Sequence, residues 1–161
     1  MKRRYVIAAI AAAAAGTVLH FLYRLSPNLL SALLSPVNES VWEHLKLLFW
    51  PILGAALVLS VREPCRVRLW SGFLTALLAM PMFLLSLYYL LRLLGISGLA
   101  VEIVLYYLTM FAGFRLARWL YQTGKLQRYT GILLMFVLLY GSGLILFTFA
   151  APPLPIFIPP K

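Results

Sequence analysis

The sequence predicts an all-α, polytopic membrane helix bundle with about five transmembrane helices and a short interfacial or re-entrant segment between the first two. Three observations predict it. Hydrophobic residues make up 63% of the 161 residues and charged residues 11%, and the mean hydropathy of +0.94 lies far outside the soluble globular range. The apolar residues fall in continuous runs of the roughly 17–25 residues that a helix needs to cross a hydrocarbon core. Those runs lack the alternation of a membrane β-strand, and lipid obliges each spanning segment to satisfy its own backbone groups.

The elements follow in order along one integral membrane domain, residues 1–161. The first span is expected over Tyr5–Tyr23. Met1-Lys2-Arg3-Arg4 before an alanine-rich core has the look of a signal peptide, but the apolar stretch outruns a signal h-region, so it is expected to stay as a span. Ala12 and Gly16 stand at small-xxx-small spacing and offer a smooth packing face. Residues 25–37, with Pro27, Pro36 and several leucines, suit an interfacial or re-entrant segment. Ser35-Pro36 can open a short helix as cap and first-turn proline; alternatively, Ser40 and Glu43 have capping-box spacing at the start of the second span. The remaining spans are expected over Glu43–Val61, Leu69–Leu91, Leu99–Leu120 and Tyr129–Ala150, followed by a proline-rich tail over 151–161. In the last span Gly141 and Gly143 offer a second close-packing face.

The formal charge of +10 reads as topology, not as nucleic-acid binding. Lys2, Arg3 and Arg4 precede the first span, Arg62, Arg66 and Arg68 follow the second, and Arg115, Arg118, Lys125 and Arg128 surround the fourth-to-fifth connection. These alternate connections are cytoplasmic by the positive-inside rule. The expectation is a multi-pass protein of a bacterial plasma membrane, N-terminus in and C-terminus out. Its partners are then the lipid bilayer, with anionic head groups attracted to the arginine-rich face. Cys65 lies on a cytoplasmic connection, supports no internal disulfide and receives no role.

This topology gathers the rare ionisable groups at the outer boundary. His20 is near the outer end of the first span and Glu102 near the outer start of the fourth. Asn38-Glu39-Ser40-Val41-Trp42-Glu43-His44-Leu45-Lys46 precedes the descent of the second. The candidate functional residues are therefore Asn38, Glu39, Trp42, Glu43, His44, Lys46, His20 and Glu102, and only Glu63 among the glutamates is left on the inner side. On a regular helix Glu39, Glu43 and Lys46 share a face, whereas His44 points about 100° away from Glu43. Trp42 and Trp50 suit the membrane interface.

Three readings compete for this cluster. In the structural one, favoured from sequence, Glu39, Glu43 and Glu102 neutralise Arg24, Lys46 and Arg92, because unpaired charge within a span is costly. In the second, His20, His44 and Glu43, with Glu39 or Glu102, supply a nitrogen and oxygen shell for zinc or another transition metal, serving a membrane hydrolase. No HExxH spacing supports it, and the shell must be assembled from separate helices. In the third, the polar segment forms an outward vestibule for transport or small-ligand binding, with Glu102 carrying a proton or coordinating a cation; five spans without a visible repeat would then call for a homo-oligomer to build a symmetric transport path. No phosphate loop or cofactor fingerprint is present.

Leu19-His20-Phe21-Leu22-Tyr23, the block from Ser35 through Leu48, Pro51, Thr148-Phe149 and Pro152-Pro153-Leu154-Pro155-Ile156-Phe157 together resemble the DUF6512 family of small bacterial multi-pass membrane proteins. The resemblance implies the architecture and supplies no established activity. Glu102 falls where the family favours an acidic residue. Two departures stand out: Arg24 replaces an acidic or neutral residue, and Pro159-Pro160-Lys161 ends the tail where the family continues through Asp-Pro toward a glycine-containing end. If that extension completes an outer-face site, the site is altered in this member.

Overall fold

The computed structural model describes residues 2–159; Pro160 and Lys161, expected to end the tail, and the side chain of Lys2 lie outside the described residues. Among the described residues there is no strand. The helices are α1 (Lys2–Leu25), α2 (Leu29–Leu34), α3 (Val41–His44), α4 (Lys46–Ser60), α5 (Arg66–Leu93), α6 (Leu99–Thr123) and α7 (Thr130–Phe149), with single 3₁₀ turns at Gln127–Tyr129 and Pro155–Phe157. Five segments are long and apolar enough to cross a membrane: Arg3–Leu25, Val41–Ser60, Arg66–Leu93, Leu99–Thr123 and Gln127–Phe149. They coincide with the five expected spans. Each runs two or three residues further at one or both ends, and the second and fifth stop one residue short at the other; flanking residues continue a helix beyond the apolar run. The expected segment between the first two spans contains α2.

Short links make successive long helices antiparallel. Val61–Cys65 joins α4 to α5 and Leu94–Gly98 joins α5 to α6. Gly124, at φ 63°, ends α6 by turning its N–H back to the Leu120 carbonyl. Only a residue without a Cβ adopts that left-handed geometry at little cost. α5 is central, packed on α4, α6 and α7, and α1 lies against α4 and α6. The core between the two ends is filled by apolar side chains, among them Ile52, Ala56, Phe73, Leu77, Met80, Met110 and Phe114.

The expected small-residue face of α1 is the contact face. Ala9, Ala12 and Ala13 are buried, and a Cβ on Gly16 would meet the Leu47 carbonyl oxygen at 2.7 Å and the Tyr106 hydroxyl. The partner explains the glycine. Pro51 sits inside α4 and has no N–H to give the carbonyl four residues back, which is that of Leu47. α1 approaches this freed carbonyl at the one place where no side chain intervenes. Nearby, the Tyr106 hydroxyl donates to the Ala13 carbonyl at 3.0 Å. Gly141 accommodates the Phe49 ring, whereas Gly143 makes no close approach: its Cβ would lie 3.9 Å from Trp42.

Candidate functional site

The segment between α1 and α4 is built from local capping chemistry. Asn28 caps α2 by accepting from Ser31 N at 3.0 Å, and Ser31 Oγ accepts from Asn28 N at 3.0 Å, a reciprocal capping box. Ser35 closes α2 instead of opening a helix, contrary to the expectation for Ser35-Pro36; its N–H returns to the Ser31 carbonyl and its hydroxyl accepts from Tyr23 N. Ser40 is the cap of α3, accepting from Glu43 N at 3.4 Å. Asn38 Oδ1 accepts from Ser40 N at 2.8 Å, so the Glu43 side chain is not used to close a box on Ser40.

That leaves the Glu43 carboxylate free to turn inward. It is 2% exposed. Its Oε2 accepts from Lys46 Nζ at 2.7 Å and from Val37 N at 2.9 Å, while Oε1 accepts from Thr148 Oγ1 at 3.1 Å. Lys46 is fully buried and donates also to the carbonyls of Ala32 at 2.8 Å and Ser35 at 3.4 Å. All three ammonium hydrogens thus have acceptors, the condition for burying such a charge. The pair ties α2, α3, α4 and α7 together. Trp50 Nε1 adds a bond to the Leu33 carbonyl at 2.9 Å.

Glu39 does not share a helical face with Glu43 and Lys46. It precedes the Ser40 cap, outside any helix, and its carboxylate swings to His44. Glu39 Oε2 lies 3.4 Å from His44 Nε2, and His44 Nδ1 is 2.8 Å from the Ser40 carbonyl. The His20 ring lies 5.2 Å from that of His44. One ligand atom from each of His20, Glu39 and His44 falls within 4.8 Å of the others. The structure therefore brings together both histidines with Glu39, while Glu43 belongs to the lysine.

The remaining expected residues sit apart from this trio. Glu102, in the first turn of α6, lines a cavity of about 210 Å³ with Tyr88, Arg92 and Ser97. Of the three outer ion pairs expected from charge counting, the structure forms one, Glu43–Lys46; Arg92 donates to the Tyr88 hydroxyl at 2.7 Å. Trp42 packs against Phe147 and Phe157, with ring centroids 5.5 and 4.9 Å away, so the Pro155–Phe157 turn of the tail docks on α3. At the opposite end Tyr121 donates to Glu63, and both are buried. Sequence reasoning assigned no partner to Glu63, and the 58-residue separation left no local signal.

A family model described as "Family of unknown function (DUF6512)" matches residues 1–159. No curated protein and no solved structure matches the chain.

Proposed function

The chain belongs to the DUF6512 family, and on that footing we propose that it is an integral protein of a bacterial plasma membrane, N-terminus in and C-terminus out, acting at its outer end. There the buried Glu43–Lys46 pair is a structural clamp, and the bundle below it serves as the anchor. The observation that carries this reading is the division of labour at the Asn38–Lys46 segment. Glu43 and Lys46 spend their hydrogen bonds internally, while Glu39 and His44 are left accessible on the platform so formed.

Three further observations support it. α7 exposes Met135, Leu138 and Leu139, as expected of a helix whose solvent is lipid. The core between Glu43 and Glu63 is built mainly from buried apolar side chains, which favours an anchor over a conduit through one copy. Basic residues are concentrated at the Glu63 end, where anionic head groups would meet them.

Cysteine accessibility tests the orientation. Cys65 is the one cysteine and is exposed. A membrane-impermeant maleimide should label it only after cells are permeabilised, whereas Pro153→Cys in a Cys65→Ser background should label in intact cells. Labelling of Cys65 in intact cells would reverse the orientation and remove the basis for an outer site.

A further inference from the structure

We propose that His20, Glu39 and His44 form a binding site for a divalent transition metal of the zinc class at the Glu43 end of the bundle. The Ser40 carbonyl can only accept, so the hydrogen between it and His44 Nδ1, at 2.8 Å, belongs to the ring. In a neutral imidazole the other nitrogen is then bare. That bare Nε2 faces a carboxylate oxygen of Glu39 at 3.4 Å. Two acceptors brought face to face repel unless something positive lies between them.

A metal ion fits that gap in size and chemistry. Zinc bonds to imidazole nitrogen and carboxylate oxygen are about 2.0–2.2 Å, and tetrahedral angles between such bonds put neighbouring ligand atoms about 3.3–3.5 Å apart. The His44–Glu39 separation of 3.4 Å is one such edge. His20 supplies the third donor within 4.8 Å, and metal binding would draw its ring toward the other two ligands. Two imidazoles and one carboxylate suit zinc and its neighbours better than calcium or magnesium, which take oxygen shells. The Ser40 carbonyl on Nδ1 is the kind of outer partner that fixes the tautomer of a metal-binding histidine.

The ligands come from α1, from the residue before the Ser40 cap and from α3, and the clamp beneath holds the last two in place. Three protein ligands leave a fourth position for water or an incoming ligand. Glu39, with its side chain 60% exposed, puts that position at the surface. Both Glu43 oxygens are already engaged, so Glu43 is not the carboxylate of this shell. The site rests on side-chain geometry and stands whichever way the protein is inserted.

The competing arrangement is a second proton on His44, forming an imidazolium–carboxylate pair with Glu39. It needs no contribution from His20, and that difference decides the test. Chelator-stripped full-length protein in detergent, carrying Cys65→Ser to remove the one thiol, is titrated with Zn²⁺ by calorimetry. One zinc per chain should bind and raise the unfolding temperature. His20→Gln, Glu39→Gln and His44→Gln should each weaken binding by more than the roughly 10–100-fold that loss of an outer partner costs. Glu39→Gln changes an exposed residue, and an unaltered unfolding temperature without zinc will show that the fold is intact. Zinc affinity unchanged in His20→Gln would overturn the site in favour of the proton-bridged pair. Failure of the Cys65→Ser protein to bind zinc would also overturn it.

Discussion

Replacing Lys46 with methionine removes a fully buried ammonium while keeping much of the side chain's apolar length. Three acceptors then lose their donor: Glu43 Oε2 at 2.7 Å, the Ala32 carbonyl at 2.8 Å and the Ser35 carbonyl at 3.4 Å. The largest loss is electrostatic, because Glu43 becomes a buried carboxylate with only Val37 N–H and the Thr148 hydroxyl to hold it. Stranding one member of a buried pair costs about 3–5 kcal/mol, a large part of a typical total stability of about 5–15 kcal/mol. Glu43→Gln should cost a similar amount by stranding the lysine. The double variant Glu43→Gln/Lys46→Met buries no charge; its amide oxygen can accept from Val37 N–H while its NH2 donates to the Thr148 hydroxyl, whose own hydrogen goes to the Leu144 carbonyl. It should be more stable than the sum of the single losses by about 2 kcal/mol or more, the coupling expected of groups in one network. Denaturant unfolding in mild detergent, followed by tryptophan fluorescence, measures all four corners of the cycle; Trp42 and Trp50 lie within the affected region. Strict additivity, or a Lys46→Met protein within about 0.5 kcal/mol of the parent, a change typical of an uninvolved surface site, would refute the clamp.

Two further substitutions probe the packing. Gly16→Ala places a Cβ against the Leu47 carbonyl and the Tyr106 hydroxyl and should cost about 1–3 kcal/mol by overpacking. Gly54→Ala meets nothing within 4 Å and should be neutral or stabilising by up to about 1 kcal/mol, so equal effects at the two glycines in unfolding titrations would contradict the α1–α4 contact. Tyr121→Phe keeps the ring and removes the hydroxyl that serves buried Glu63. The expected loss is about 1–3 kcal/mol, and a Tyr121→Phe protein as stable as the parent would show that Glu63 is solvated otherwise.

The long helices were legible because hydropathy is a one-dimensional signal: a continuous apolar run needs no knowledge of its neighbours to be read as a span. The small-residue face of α1 was legible for a similar reason, since Ala12 and Gly16 repeat at a helical interval. What hydropathy could not show was where the polar segment breaks. Treating residues 39–46 as one regular helix put Glu39 beside Glu43. Ser40 instead starts α3, and the residue before a cap is free of helical geometry. That single local event hands Glu39 to His44 and leaves Glu43 to Lys46. The Asn28–Ser31 capping box was written in the sequence as an Asn followed three residues later by Ser, a weaker form of the familiar Ser/Thr-x-x-Glu signal. Contacts such as Tyr121–Glu63, Thr148–Glu43 and Phe157–Trp42 join residues far apart in the chain. They exist only once the helices are packed, and no periodicity announces them.

His20, Glu39 and His44 should act as one ligand set. X-ray absorption at the zinc edge on the zinc-loaded Cys65→Ser protein reads the shell directly. The predicted spectrum has two imidazole nitrogens and oxygen ligands at about 2.0–2.2 Å, with one imidazole lost in His20→Gln. A shell of oxygens alone, or one that keeps the same imidazole count without His20, would contradict it.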